Sequence, residues 1–553
     1  MKRTLTELEQ KTFDIIIIGG GITGACLAWD AINRGLTVAL IEKDDFGAAT
    51  SSASSKLLHG GIRYLQQGRI DKVRESALER VHYQYIAPHL SHYVPFVVPT
   101  YTSLSKGKLL LRFGMLLYHI ICLGQNRRLR DPAKKVPGWR MLNKKQLLQY
   151  IPNLASNHTT GAVLFQESHM YSSERMTLAF INSCIRKGAV AMNYICADDF
   201  IVADQKVSGI KATDMLSGQS LTIRAECVIN AAGPWIPLLN KSISTRRIVT
   251  AFSKGAHVVT LPITNNVAIA LPTRKQSQSI INRGGRHVFI IPWRGHSLIG
   301  TTYDAYDGEL DEVRPTENNI EELISDINSA FGEIVLHRKD IKYSFAGIYP
   351  LIDDVINTKV YQGTGEYQIV DHKNTDNLDG LVTVFGAKYT TARLLAEKAL
   401  NKIIYKFTKP LKSCQTKRLQ LSCGDIDNVE QYRMLKCTEY ADVLPANVID
   451  HLITYYGTEI DSIIKYVVKD KQWAQFLSTK YPNIEAQIIY AIEHEMACHL
   501  DDVLFRRTGL GTLGHPGSDV IERCANIMSD YLQWDTVRRE SEIKRVLSYY
   551  QYH

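Results

Sequence analysis

The chain has 553 residues, 45% of them hydrophobic and 22% charged, a composition that excludes a disordered or low-complexity polymer and leaves room for several folded domains. Lysine and arginine outnumber aspartate and glutamate by nine, a mildly basic balance with no nucleic-acid-binding motif beside it. The ten cysteines form no CxxC pair and no short His/Cys spacing, which excludes the common zinc and iron–sulfur sites and fits a reducing cytoplasm.

The opening MKRTLTELEQKTFD lacks the apolar core of a secretory signal, and no stretch reaches the roughly 18 uncharged apolar residues of a spanning helix. Residues 14–43, DIIIIGGGITGACLAWDAINRGLTVALIEK, read as strand, turn, helix and strand. Gly19, Gly21 and Gly24 spell GxGxxG directly after the first strand. The first glycine turns the chain, the second admits a pyrophosphate to the backbone, and the third lets the helix pack closely. The helix N-terminus then faces the anion with free N–H groups. Glu42, closing the second strand, suits the hydroxyls of an adenosine ribose and argues against a 2′-phosphate. This pattern predicts a bound dinucleotide, FAD or NAD, without choosing between them.

Next comes SSASSKLLHGGIRYL (51–65), too polar and glycine-rich for core, and suited to a ligand that extends beyond the adenosine. LLLRFGMLLYHIICL (109–123) is amphipathic and interrupted by Arg112, and the basic QNRRLRDPAKK (125–135) follows it. Residues 188–214 alternate as strands do, with SGQ (217–219) as a hairpin turn. VINAAGPW (228–235) is an apolar strand ending in small residues that allow close approach of backbone to a cofactor. Residues 246–340 hold strand-like runs (GAHVVTLP, RHVFIIPW, HSLIGTTY) and then a helical run, TENNIEELISDINSAFGEI. VTVFGAKYTTAR (382–393) is a buried strand followed by a helix start, and from about residue 413 the pattern is helical, with a second basic cluster at 537–545.

Taken in order, GGGITGA, IEKDDFGAATSSASSKLLHGGIRYL (41–65), VINAAGPW, FSKGAHVV (252–259), FIIPWRGHSLIGTT (289–302), FGAKYTTARLLAEKAL (385–400) and HEMACHLDDVLFRRTGLG (494–511) resemble the FAD-dependent, quinone-linked glycerol-3-phosphate dehydrogenases. The resemblance runs from about residue 12 to about residue 530 and selects FAD as cofactor. It implies an α/β + α architecture. A discontinuous Rossmann-type FAD-binding domain (12–95, 150–245 and 340–405) is expected, with an antiparallel-sheet substrate or cap domain (96–149 and 246–339) and a C-terminal all-helical domain (413–545).

It further implies cofactor contacts from Gly19, Gly21, Gly24, Glu42, Lys43, Thr50, Ser51, Ser52, Ser55, Lys56, Leu58, His59, Gly60, Gly233, Gly386 and Lys388. The implied reaction oxidises sn-glycerol 3-phosphate to dihydroxyacetone phosphate, electrons passing to quinone or another acceptor. Arg63, Lys388, Thr390 and Tyr349 are the expected substrate contacts, His257 the proton acceptor with a near-neutral pKa, and Arg63 and Lys388 its catalytic companions. No metal is expected. The expected partners are an anionic membrane surface on the cytoplasmic side and a second copy of the chain; nucleic acid is not among them.

Four positions depart from the family pattern. Tyr349 stands where an arginine is usual, Tyr303 and Ser173 where aspartates are usual, and Ala387 where a second glycine is common. Tyr349 and Tyr303 leave open a second reading, the same fold acting on a different small polyol, hydroxy acid or amino compound.

Overall fold

The computed structural model describes residues 3–65, 67–102, 107–155, 159–243, 251–272, 287–351, 367–386 and 388–551; Ala387 lies outside them. Two sheets and a helical domain organise the chain.

The first sheet runs Gln368–Asp371, Leu381–Phe385, Ser220–Asn230, Thr12–Ile18, Val38–Ile41 and Val190–Met192. Its central strands are parallel, with Ile15 opposite both Val38 and Cys227. Ile15, Ile16 and Ile17 are fully buried, as a parallel strand covered on both faces requires. Ile22–Arg34 forms the expected helix and ends at Gly35, which takes φ +98°. The glycines of the turn are dictated by contact. Gly19 sits at φ +107° with Ala231 O only 2.6 Å from where a Cβ would be, and a Cβ on Gly24 would lie 1.8 Å from Gly19 O. The SGQ turn is present between Lys206–Asp214 and Ser220–Asn230.

Among the described residues the second sheet has ten strands, from Asp304–Tyr306 through Ala251–Thr260, His296–Gly300, His287–Trp293, Ala268–Pro272, Ser91–Tyr101 and Thr159–Met170 to Leu57–Leu58. Ile341–Leu351 pairs with Ala251–Thr260, and Arg140–Asn143 with Thr159–Met170. The boundaries expected from sequence need correction here. The sequence pattern puts residues 91–95, 159–170 and 341–351 with the cofactor domain, whereas strand pairing draws all of them into this second sheet. The reason is ladder continuity: Ser91–Tyr101 pairs without a break from Ser91↔Met170 to Pro99↔Ala162, so a boundary at residue 95 would cut one strand in two. The sheet is antiparallel except where Ala268–Pro272 runs parallel to Ser91–Tyr101.

Beyond residue 413 the chain is helical as expected, with its own core of Val448, Ile449, Leu452, Ile463, Ile464 and Tyr490. The RR of HLDDVLFRRTGLG docks it. Arg506 and Arg507 both donate to Asp45, at 2.5–2.8 Å, in the turn after Val38–Ile41. These cations hold the buried Asp45 carboxyl far below the usual range. Removing one member of such a pair leaves a buried unpaired charge, which is the costly event.

Candidate active site

A cavity of about 1280 Å³ lies where the two sheets meet. Ordinary small-molecule sites occupy roughly 300–1,000 Å³. The extra volume accommodates a dinucleotide together with a small second molecule.

Its first end is built by the GxGxxG turn. Gly19 and Gly21 line it, as do Glu42 and Lys43 at the close of the second strand. Glu42 accepts N–H groups from Gly20 (2.7 Å) and Asp44 (3.0 Å). Burial, then the neighbouring Asp44, raise its carboxyl to about 7. Two lone-pair sites remain on the carboxylate for further donors. Ser51 Oγ accepts the Ile22 N–H at 2.9 Å, placing a hydroxyl at the first turn of the helix. Thr50 donates to Ile348 O at 2.6 Å and so ties this loop to the second sheet. Across the mouth, Asp311 accepts from Lys43 Nζ and from Trp235 Nε1, and all three residues line the cavity.

Ser54, Ser55, His59, Gly233, Gly347 and Gly386 also line the cavity. Backbone comes close to the open space here. Gly233 takes φ +56° and a Cβ there would meet nothing within 4 Å, leaving the surface bare for a flat ring system.

The far end gathers side chains from distant segments. Arg63, Lys388, His257, Tyr349 and Tyr303 all line it. Lys388 Nζ lies 3.6 Å from the Tyr64 ring centre, and the Arg63 guanidinium 5.8 Å from that of Phe289. Burial, then repulsion from Arg63, lower the Lys388 ammonium to about 7. His257 is 4% exposed and stacked on Phe345, at 5.1 Å with 11° between ring planes. Opposite it on the next strand is Gly300, where any Cβ would come within 2.2 Å of the imidazole. Neither His257 ring nitrogen has a hydrogen-bond partner among the described residues. The near-neutral pKa expected for His257 is corrected: burial, then Lys56, push it to about 3, so the ring stays neutral with a lone pair free. His59 is likewise pushed to about 3 by burial, then by Lys388, Arg63 and Arg80.

Other expected contacts stand behind the cavity wall rather than on it. Gly24 acts through helix packing, and Ser52 donates to Ala48 O and Ala49 O within its own loop. Lys56 is 1% exposed and turns inward to Glu174 (2.6 Å), Ser173 (3.1 Å) and Ser52 O (2.7 Å). A carboxylate thus reaches Lys56 from Glu174, one residue past the departure at Ser173. Leu58 is buried in the core between the first sheet and its helices. Gly60 is packed against Tyr118 and Arg80. Thr390 is 1% exposed, and its neighbour Tyr389 lines the cavity instead. Glu167, Thr301 and Asp311 also line it and were missed from sequence. Glu167 carried a signal, being a charge inside the apolar strand AVLFQESHM.

A dinucleotide cradle that continues to paired cations and a neutral histidine defines an oxidoreductase with a dinucleotide cofactor. Residues 14–397 match the family described as FAD dependent oxidoreductase, and residues 414–539 match the C-terminal domain of alpha-glycerophosphate oxidase. The chain is 31% identical to the aerobic glycerol-3-phosphate dehydrogenase of Staphylococcus haemolyticus, over 91% of this chain and 87% of that one. It is 29% identical to the glycerol-3-phosphate dehydrogenase of Synechocystis sp., over 99% and 98%. Among solved structures, the Bacillus halodurans glycerol-3-phosphate dehydrogenase complexed with FAD superposes with a TM-score of 0.78 at 26% identity, over 99% of this chain and 96% of that one. This chain therefore belongs to the FAD dependent oxidoreductase family, among the glycerol-3-phosphate dehydrogenases. Its cofactor is FAD, which the glycine-lined cradle, the Glu42 carboxylate and the volume of the cavity all fit.

Proposed function

We propose that this chain oxidises the C2 hydroxyl of sn-glycerol 3-phosphate to the ketone of dihydroxyacetone phosphate and delivers the electrons to a quinone. One observation supports this above the rest: Arg63 and Lys388 lie close enough for Arg63 to depress Lys388, in the cavity that also holds a neutral, unpartnered His257. Two adjacent cations suit a dianionic phosphate, Arg63 offering a planar fork and Lys388 a point charge. Phosphate held there orients the three-carbon chain. A His257 ring nitrogen accepts the C2 hydroxyl proton; a ring held at about 3 is a weak base, so the bound phosphate dianion has to raise it for the transfer to be favourable. FAD, when bound, takes up the two electrons that leave C2 with its hydrogen. Tyr349 and Tyr303 supply hydroxyls in place of the family's usual charges, and they motivate the weaker reading, a different small hydroxylated substrate.

The proposed acceptor route starts at Lys108–Ile121. Leu109, Phe113, Leu116 and Ile120 recur at helical spacing and are 83%, 65%, 50% and 53% exposed. Phe113, Met115 and Leu117 of the same helix line the cavity, beside Phe96, Phe165 and Phe289. No helix among the described residues is long and apolar enough to cross a membrane. An interfacial helix over an apolar chamber is the arrangement a lipid-dissolved quinone would need, with Arg127 and Arg128 beside it for anionic headgroups.

The test is anaerobic mixing of the yellow protein with sn-glycerol 3-phosphate. Rapid flavin bleaching is expected. No bleaching, with dithionite still reducing the flavin, would overturn the substrate and favour the second reading. Flotation with anionic vesicles tests the helix: wild type floats, and Phe113→Ser/Leu116→Ser stays behind. Equal behaviour of the two would remove the membrane route.

A further inference from the structure

Arg63 sits on a single helical turn, Ile62–Leu65, too short to hold itself in place. One anchor of this turn is Gly60. The Gly60 N–H donates to Glu167 Oε2 at 2.7 Å, and the Gly60 carbonyl accepts the Tyr118 hydroxyl at 3.1 Å. Arg80, fully buried, donates to the same Glu167 oxygen at 2.8 Å and to Gln166 O at 3.1 Å. A Cβ at Gly60 would lie 2.0 Å from the Tyr118 hydroxyl, so the approach is open to glycine alone. Gly61, at φ +78°, then turns the chain into the Arg63 helix, where Tyr64 N–H closes on Gly61 O at 2.9 Å.

Three elements far apart in sequence thus converge on one residue: Tyr118 from Lys108–Ile121, Glu167 from Thr159–Met170 and Arg80 from Ile70–Ile86. We propose that Tyr118, Glu167 and Arg80 are positioning residues for Arg63, fixing both polar groups of Gly60 and thereby aiming the guanidinium at the substrate phosphate. The inference rests on the reading of Arg63 as the phosphate contact. The contacts act on the backbone three residues before Arg63, so their loss loosens its aim. The cofactor cradle around Gly19 and Ser51 is built by other segments and stays as it was.

The experiment is anaerobic stopped-flow reduction of the FAD holoenzyme across a range of sn-glycerol 3-phosphate concentrations, which separates apparent Kd from the limiting reduction rate. Tyr118→Phe keeps the ring and removes one hydroxyl. It should raise Kd about fivefold, the net worth of one neutral hydrogen bond, with FAD content and Tm as in wild type. The limiting rate should stay within about twofold, because the chemistry at C2 is untouched. Glu167→Gln should raise Kd more, about tenfold, because the contact it weakens is charge-assisted. The decisive arm is the background. In Arg63→Ala, Tyr118→Phe should add nothing further to Kd if it acts through Arg63. An unchanged Kd in folded Tyr118→Phe, or a full additional rise in the Arg63→Ala background, would overturn the proposal. Failure of wild type to bleach with sn-glycerol 3-phosphate would instead strike the substrate reading.

Discussion

The two ends of one cavity are made in different ways. The nucleotide end is centred on backbone from one short segment, a glycine turn and a helix N-terminus with the Glu42 carboxylate, and a few side chains such as Ser51, Trp235 and Asp311 complete it. The proposed substrate end draws on cavity-lining side chains at residues 63, 257, 303, 349 and 388, which are far apart in sequence. Backbone cradles tolerate little change in shape and much change in neighbouring side chains. Side-chain sites behave the other way, and that contrast orders the expected effects of mutation.

The largest effect belongs to the nucleotide end. Gly24→Val puts atoms where Gly19 O already sits, 1.8 Å from the new Cβ, so strand and helix cannot both keep their places. Purified protein should carry no flavin, measured as visible absorbance per chain, if it is soluble at all; a fully yellow variant would break the contrast. At the other end, His257→Ala should keep its flavin and slow flavin reduction by about 10²–10⁴, the usual worth of a positioned base. An unchanged reduction rate would mean that another group takes the proton.

The same contrast explains what was legible in the sequence. The strand–turn–helix–strand of residues 12–41, the 217–219 turn and the C-terminal helices stand where local pattern puts them, because hydrophobic period, glycine placement and turn chemistry mark each of them within its own segment. Domain boundaries escape local pattern where the second sheet takes its strands from both sides of the first in sequence. Pairing between residues 91 and 170 leaves no local trace. Lys56 read as a cofactor contact because a lysine in a serine-rich loop looks solvent-facing; only the fold brings Glu174 to it. The low pKa of His257 follows from burial among neighbours such as Phe345 and Gly300, which adjoin it only across strands, and then from Lys56.

Arg63→Ala should raise the apparent Kd for sn-glycerol 3-phosphate about tenfold to a hundredfold with no loss of FAD, as expected for one charge-assisted contact. A smaller effect follows from Lys388, whose ammonium burial and Arg63 bring down to about 7. A dianionic ligand favours the charged form, so binding above that pH takes up a proton. Kd should be flat just below pH 7 and climb above it, approaching about tenfold per pH unit. Lys388→Arg, charged throughout, should flatten the climb. A wild-type profile that stays flat to pH 9 would mean that Lys388 remains protonated in the free protein or lies outside the phosphate site.

The smallest effect is expected where a side chain does serve the nucleotide end. Asp311 crosses from the second sheet to accept from Lys43 and Trp235 over the mouth of the cradle, and its side chain is 67% exposed. Exposed ion pairs contribute about 0.2–1 kcal/mol, because water already solvates both charges and salt screens them. Asp311→Asn keeps an oxygen for Trp235 Nε1 and removes only the charge facing Lys43. The Kd for FAD, measured by reconstitution of flavin-stripped protein, should therefore rise less than about fivefold, and the difference should fade at high salt. A hundredfold rise would reverse the contrast between the two ends. It would mean that this bridge, more than the glycine turn, retains the cofactor, and that the second sheet must close on the first before FAD is held.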